Sequence, residues 1–257
     1  METKHLIYDG TFDGFLSTVF YVFEQRLTSV KIQNKFSAQQ GLFSENVSII
    51  TEEVKANRVW KGVKLKLSAQ GSYQLYYAFL SEISGVEDLL LDYMRYAFAQ
   101  QKKVDKDYSH PSILKIAQIA KSVGREKHRM EAFVRFRLTK DQLYFANIEP
   151  DFNVLPLIEK HFKRRYADQK WVIYDIKRGY GLFYDLEKVD LVHMNFPEHF
   201  DFTKTDNAFF ATQEFEFQKL WQDYFKATNI ASRKNMKLHI RHVPKRYWKY
   251  LSEKQPN

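Results

Sequence analysis

Asn147-Ile148-Glu149-Pro150-Asp151-Phe152-Asn153-Val154-Leu155-Pro156-Leu157-Ile158, followed by His161-Phe162, Arg164-Arg165, Ala167-Asp168-Gln169 and Trp171-Val172-Ile173-Tyr174-Asp175, reads as strand, short helix, strand. Asn153 predicts a helix N-cap, and Pro156 is tolerated in a first helical turn. The helix is expected to run to Tyr166, and residues 171–176 to form an apolar strand. Acids, amides, a histidine and arginines crowd both junctions. That is more hydrogen-bonding capacity than a fold alone needs, and it predicts a polar site on a rigid frame.

Working outward, 132–138 alternates apolar and basic residues and 142–148 alternates as well, with Thr139-Lys140-Asp141 as a hairpin loop. Downstream, 181–184 and 189–194 read as strands, and Arg178-Gly179-Tyr180-Gly181 as a hairpin turn. A Phe-rich loop (196–206) leads to an amphipathic helix over 212–227, with Phe217, Leu220, Trp221, Tyr224 and Phe225 on one face. A short helix near 246–251 closes the chain, with Trp248 expected in the core.

Towards the N-terminus the apolar period is helical. A strand at 5–8 precedes a helix capped by Thr11 and running to about Phe23. Strand candidates at 30–32 and 47–50 come next, then helices over 51–61 and 73–83. Ser84-Gly85-Val86-Glu87 has capping-box spacing before a helix to about Gln100. Lys102–Tyr108 reads as a charged loop. Pro111 opens a further helix that Gly124 is expected to end or bend. The fold class is therefore α+β, with a mainly helical N-terminal half and a mostly antiparallel sheet with packed helices in the C-terminal half. A single domain over 1–257 is expected, with a candidate sub-boundary near 102–110.

With no cysteine among 257 residues, disulfides, thiolate–metal sites, iron–sulfur clusters and thiol catalysis are excluded for this chain. The first residues lack a signal-peptide core, and no run approaches about 18 apolar residues. No membrane span and a cytoplasmic location are expected. The spacing of Glu149, Asp151 and His161 matches no strong metal signature, so neither metal nor cofactor is expected.

The formal net charge is +9 and it is unevenly spread. Residues 229–254 hold eight Lys/Arg against one acid, and 121–140 hold seven against two. Clustered cations favour polyanion partners through counterion release. The candidate nucleic-acid-binding residues are Arg129, Arg135, Arg164, Arg165, Arg233, Arg241, Lys245 and Arg246. In the tail, cations interleave with aromatics, a composition suited to phosphates and unpaired bases. The alternative is a DNA-acting enzyme, glycosylase- or nuclease-like, with His128, Glu149, His161 and Asp175 as its candidate acids and bases. No nucleophile elbow and no GxGxxG after a strand occurs.

Several motifs together resemble a bacterial family of probable DNA metabolism or putative DNA repair proteins, a domain of unknown function. They are Tyr8-Asp9-Gly10, Phe79-Leu80-Ser81-Glu82, His128-Arg129-Met130, Phe133-Val134-Arg135-Phe136, Leu155-Pro156-Leu157-Ile158, Ala167-Asp168-Gln169 and Pro244-Lys245-Arg246-Tyr247-Trp248. The resemblance implies a DNA-linked role beside a radical-SAM iron–sulfur partner. Elsewhere the same domain is fused to uracil-DNA-glycosylase-type domains. It implies no catalytic residue, and any iron–sulfur cluster must sit on the partner.

Overall fold

The computed structural model describes residues 3–36, 46–228 (side chains to 224) and 236–254. The chain divides into two compact units, Met1–Gly124 and Arg125–Asn257.

In the first unit, β1 (Lys4–Tyr8) lies between β2 (Val30–Asn34) and β3 (Asn46–Ser48), both parallel to it. Helix α1 (Phe12–Glu24) connects β1 to β2, and α2 (Glu53–Lys66), α3 (Ala69–Phe79) and α4 (Val86–Ala99) follow. Phe12 packs edge-on to Trp60 and Tyr76, and Phe15 meets Tyr8 and Phe79. Asp9 fixes the entry to α1. Its carboxylate accepts from the Thr11 amide and hydroxyl at 2.9 and 2.7 Å and from the Thr51 hydroxyl at 2.8 Å. The Thr11 hydroxyl in turn caps the amide of Gly14. A β-carbon at Gly14 would collide with Oδ1 of Asp9, so any side chain there must displace that carboxylate from its hydrogen bonds.

Helix α5 (Pro111–Phe133) begins at Pro111, as expected, but continues straight through Gly124. Ala132 and Phe133 are therefore helical, and the strand expected over 132–138 contracts to β4 (Arg137–Leu138). An i, i+4 run of contacts outweighs the cost of one glycine, roughly 1 kcal/mol. Three further boundaries differ. Helix α3 starts at Ala69 because Ser68 caps Gly71 while donating to Asp105 at 2.6 Å. No capping box forms at Ser84: Gly85 occupies the cap position in a left-handed conformation, and Glu87 instead accepts from the Tyr8 phenol. Asn153 does not cap the following helix either, because its Oδ1 accepts from the Tyr180 hydroxyl at 2.6 Å.

The second unit is built on a five-stranded sheet in the order β4-β5-β6-β7-β8. Strands β5 (Tyr144–Ile148), β6 (Trp171–Asp175), β7 (Tyr180–Tyr184) and β8 (Val189–Val192) follow one another in sequence. Only β5–β6 is parallel, because α6 (Leu155–Arg165) carries the chain back to the same end. The other three pairs are antiparallel. Helix α6 buries Leu155, Ile158 and Phe162, each worth about 1.5–3 kcal/mol. Phe162 and Tyr184 both pack against Trp171. A second cluster comprises Phe145, Val172, Tyr174 and Phe210, sealed by Phe196, Phe200 and Phe202 of the Phe-rich loop.

Helix α7 (Thr212–Thr228) forms where its periodicity predicts, yet Phe217, Leu220 and Tyr224 on its apolar stripe are more than half exposed. A short α8 (Met236–His242) and a 3-10 helical stretch over Lys245–Tyr250 follow. Tyr247 and Leu251, rather than Trp248, enter the core.

Candidate nucleic-acid interface

Strand β4 covers only Tyr144 and Phe145 of its neighbour β5. Continuing the register would set Arg135 opposite Asn147. The chain leaves the sheet first, because Arg135 donates to the carbonyls of Ala132 and Val134 and forms an ion pair with Glu253. A cleft of about 890 Å³ opens beside this uncovered edge of β5. Phe136, Phe162, Tyr166, Phe202, Phe217 and Trp221 contribute to its walls, with Arg135, Arg137, Asn147, His161, Arg165, Glu214 and Gln218 among them. The volume falls within the roughly 300–1,000 Å³ typical of ligand sites.

Asn147 is a buried polar group of this wall, at 7% exposure. Its Oδ1 accepts from Nη2 of Arg137 at 2.5 Å, and its Nδ2 meets no acceptor among the described residues. Arg137 also donates to the carbonyls of Lys204 and Phe202 and lies 4.5 Å from the Phe210 ring centre. Burial pulls its pKa down to about 10, so the guanidinium remains charged at neutral pH. Glu214 accepts from the Leu138 amide and from Nε2 of Gln218, which donates to Thr205 as well.

The crowded polar stretch at the C-terminal ends of β5 and β6 is neutralised by the chain itself. Asp175 is fully buried against Arg178 at 2.8 Å; burial pushes its pKa up, and the guanidinium offsets only part of that. Glu149 pairs with Lys249 and accepts from Tyr250, both at 2.6 Å. The hydrogen bond from Lys249, then that from Tyr250, hold its carboxyl below the usual range. Glu126, 1% exposed, accepts from Arg129, Arg246, the Tyr247 phenol and the Asp151 amide. Arg246 also reaches Asp151 at 2.6 Å.

The four candidate acids and bases do not converge. His128 and His161 each stand 3.8 Å from Glu131, on opposite carboxylate oxygens. His161 lines the cleft while His128 is almost wholly exposed. Glu149 borders a separate shallow hollow with Asp151 and Lys245, and Asp175 is closed off from solvent. Among the arginines, Arg129, Arg135 and Arg246 are engaged by internal carboxylates. Arg164, Arg165, Arg241 and Lys245 are exposed, with no carboxylate in ion-pair range among the described residues. Arg233 lies outside the described residues.

Sequence reading passed over two features. In the sequence Asn147 is one polar residue of a crowded stretch, between Ala146 and Ile148 on a strand; only tertiary packing buries it in the wall of the cleft. In the first unit, Arg58, Lys61 and Lys64 form an exposed row on α2, in a groove with Asn57 and Trp60. Their i, i+3 spacing was the available signal.

Residues 84–253 match the model of a domain of unknown function, DUF4130, and the chain belongs to that family. No curated protein matches it. Among the described residues no helix is long and apolar enough to cross a membrane.

Proposed function

We propose that this protein is a nucleic-acid-binding component of DNA metabolism or repair. It would work with a radical-SAM iron–sulfur partner that supplies chemistry this cysteine-free chain lacks. The observation that carries the reading is the make-up of the cleft in the second unit. Aromatic side chains and Arg165 line it, and Arg164 precedes Arg165 on the same exposed helix end. Aromatic faces beside cations suit a single strand, whose bases stack while its phosphates meet the positive charge. A binding role is favoured over catalysis by this chain alone because Glu149 and Asp175 lie apart from each other and from His128 and His161, which share only Glu131.

The test is a fluorescence-anisotropy titration of the purified protein with single-stranded and duplex DNA across a salt series. Single strands are expected to bind more tightly, with log affinity falling linearly against log salt. Replacing Arg164 and Arg165 with Ala is expected to flatten that slope by about 0.7 per lost phosphate contact. A salt-independent response, or no retention of DNA at low salt, overturns the proposal.

A further inference from the structure

We infer that the cleft of the second unit receives one unstacked nucleobase and reads its carbonyl-bearing edge through Nδ2 of Asn147. The inference rests on the nucleic-acid reading above and names what that site would recognise.

The orientation of the Asn147 amide is not arbitrary. A guanidinium carries donors only, so the group facing Nη2 of Arg137 must be the oxygen. Flipping the amide would set donor against donor. Arg137 is itself locked by two backbone carbonyls and the Phe210 ring, so it cannot turn away to accommodate a flip. Nδ2 therefore points away from Arg137, buried and with no acceptor among the described residues. Folded proteins seldom leave such a donor unmet, and a ligand oxygen is the partner that would satisfy it.

The same cleft holds a complementary acceptor. Gln218 also lines the cleft; its Nε2 donates to Glu214 at 2.9 Å and to Thr205 at 2.8 Å, which leaves Oε1 as its acceptor end. A donor and an acceptor together match a lactam edge, in which a carbonyl adjoins a ring N–H. Thymine, uracil and guanine carry that edge, whereas adenine does not. The walls argue for a flat ring: Phe217 is 57% exposed and Trp221 40%, and both line the cleft. An apolar planar ligand removes those faces from water, as bases do when stacked on aromatic side chains. A base can reach a side chain at the floor only after leaving its own stack.

The experiment titrates the full chain with three labelled oligonucleotides of equal length: oligo-dT, oligo-dA and an abasic strand with the same phosphates. The wild type is expected to bind oligo-dT roughly ten-fold more tightly than the abasic strand, with oligo-dA between them. Asn147→Asp keeps an oxygen for Arg137 but replaces the amide donor with a second acceptor. It is expected to bind oligo-dT only as well as it binds the abasic strand, so the ratio of the two affinities, rather than either alone, reads the loss. Phe217→Ala, at an exposed position, supplies a variant whose folding is not in question and should lose part of the same preference. If the wild type binds all three strands equally, the base-reading inference fails while the nucleic-acid reading stands. If it binds none of them at low salt, both fall.

Discussion

Arg135 and Glu253 form a two-point ion pair across 118 residues of sequence: Nη2 lies 2.8 Å from Oε1, and Nε 3.3 Å from Oε2. Nε1 of Trp221 donates to the same carboxylate at 3.1 Å. One interaction thus ties the end of α5, helix α7 and the end of the chain together, and it draws Arg135 off the path of β4. With Arg135 held there, β4 ends after two residues and the cleft borders the uncovered part of β5.

The pair makes the region acid-sensitive. Burial alone would raise the Glu253 pKa, but the hydrogen bond and charge of Arg135 outweigh it and hold the carboxyl below its ordinary value. A depressed folded-state pKa contributes stability that is fully present above the unfolded value, about 4.3, and is lost as pH falls through the folded one. Trp221 fluorescence, isolated by difference against Trp221→Phe, is expected to stay constant from neutral pH to about 5. It should then change at lower pH, before global unfolding. Glu253→Gln should show no such step.

Glu126 should matter more to stability than the arginine that reaches it. It is 1% exposed with four partners, whereas Arg246 is 43% exposed at its side chain and keeps Asp151. Glu126→Ala is expected to cost about 3–5 kcal/mol, as for breaking a buried pair. Arg246→Ala should cost about 1 kcal/mol, in the range of partly exposed pairs. Urea unfolding of both variants measures the difference, and equal losses would contradict the ranking.

Gly14→Ala should destabilise the first unit by about 1–3 kcal/mol, because the added carbon meets the Asp9 carboxylate. The loss is expected to be strongly non-additive with Asp9→Ala, which removes the colliding group. A double-mutant cycle by thermal melts reads the coupling, and simple additivity would contradict the proposed collision.

Cations of the tail should separate into two kinds. Arg241 and Lys245 are exposed and hold no carboxylate among the described residues, so replacing both with Ala should leave the melting temperature unchanged and weaken DNA binding evenly across sequences. Arg246→Ala should instead act mainly on stability. Parallel anisotropy and melting measurements distinguish these outcomes.

Much of the architecture was legible locally. The 3.6-residue period places α1, α4 and α7, and alternation with turn residues places β5 to β8. Boundaries were misread where distant groups took over a local role. Asn153 turns to Tyr180 instead of capping α6, Ser68 gains Asp105 as a support for its cap, and α5 overrides Gly124. At the site, the polarity of the stretch from Asn147 to Asp175 was evident, but its purpose was not. Most of its acids answer cations of the same unit.

What the sequence by itself determined was the class of structure, the absence of thiol chemistry and the total positive charge. These follow from periodicity and composition, which neighbours along the chain impose. Only the tertiary structure decided which cations are neutralised inside and which reach solvent, that β4 ends after two residues, and that the buried Asn147 in the wall of an aromatic-lined cleft keeps an unmet donor. Those outcomes depend on pairs such as Arg135–Glu253 and Arg246–Glu126, whose members lie 118 and 120 residues apart. A charge at such separations has no partner until folding supplies one.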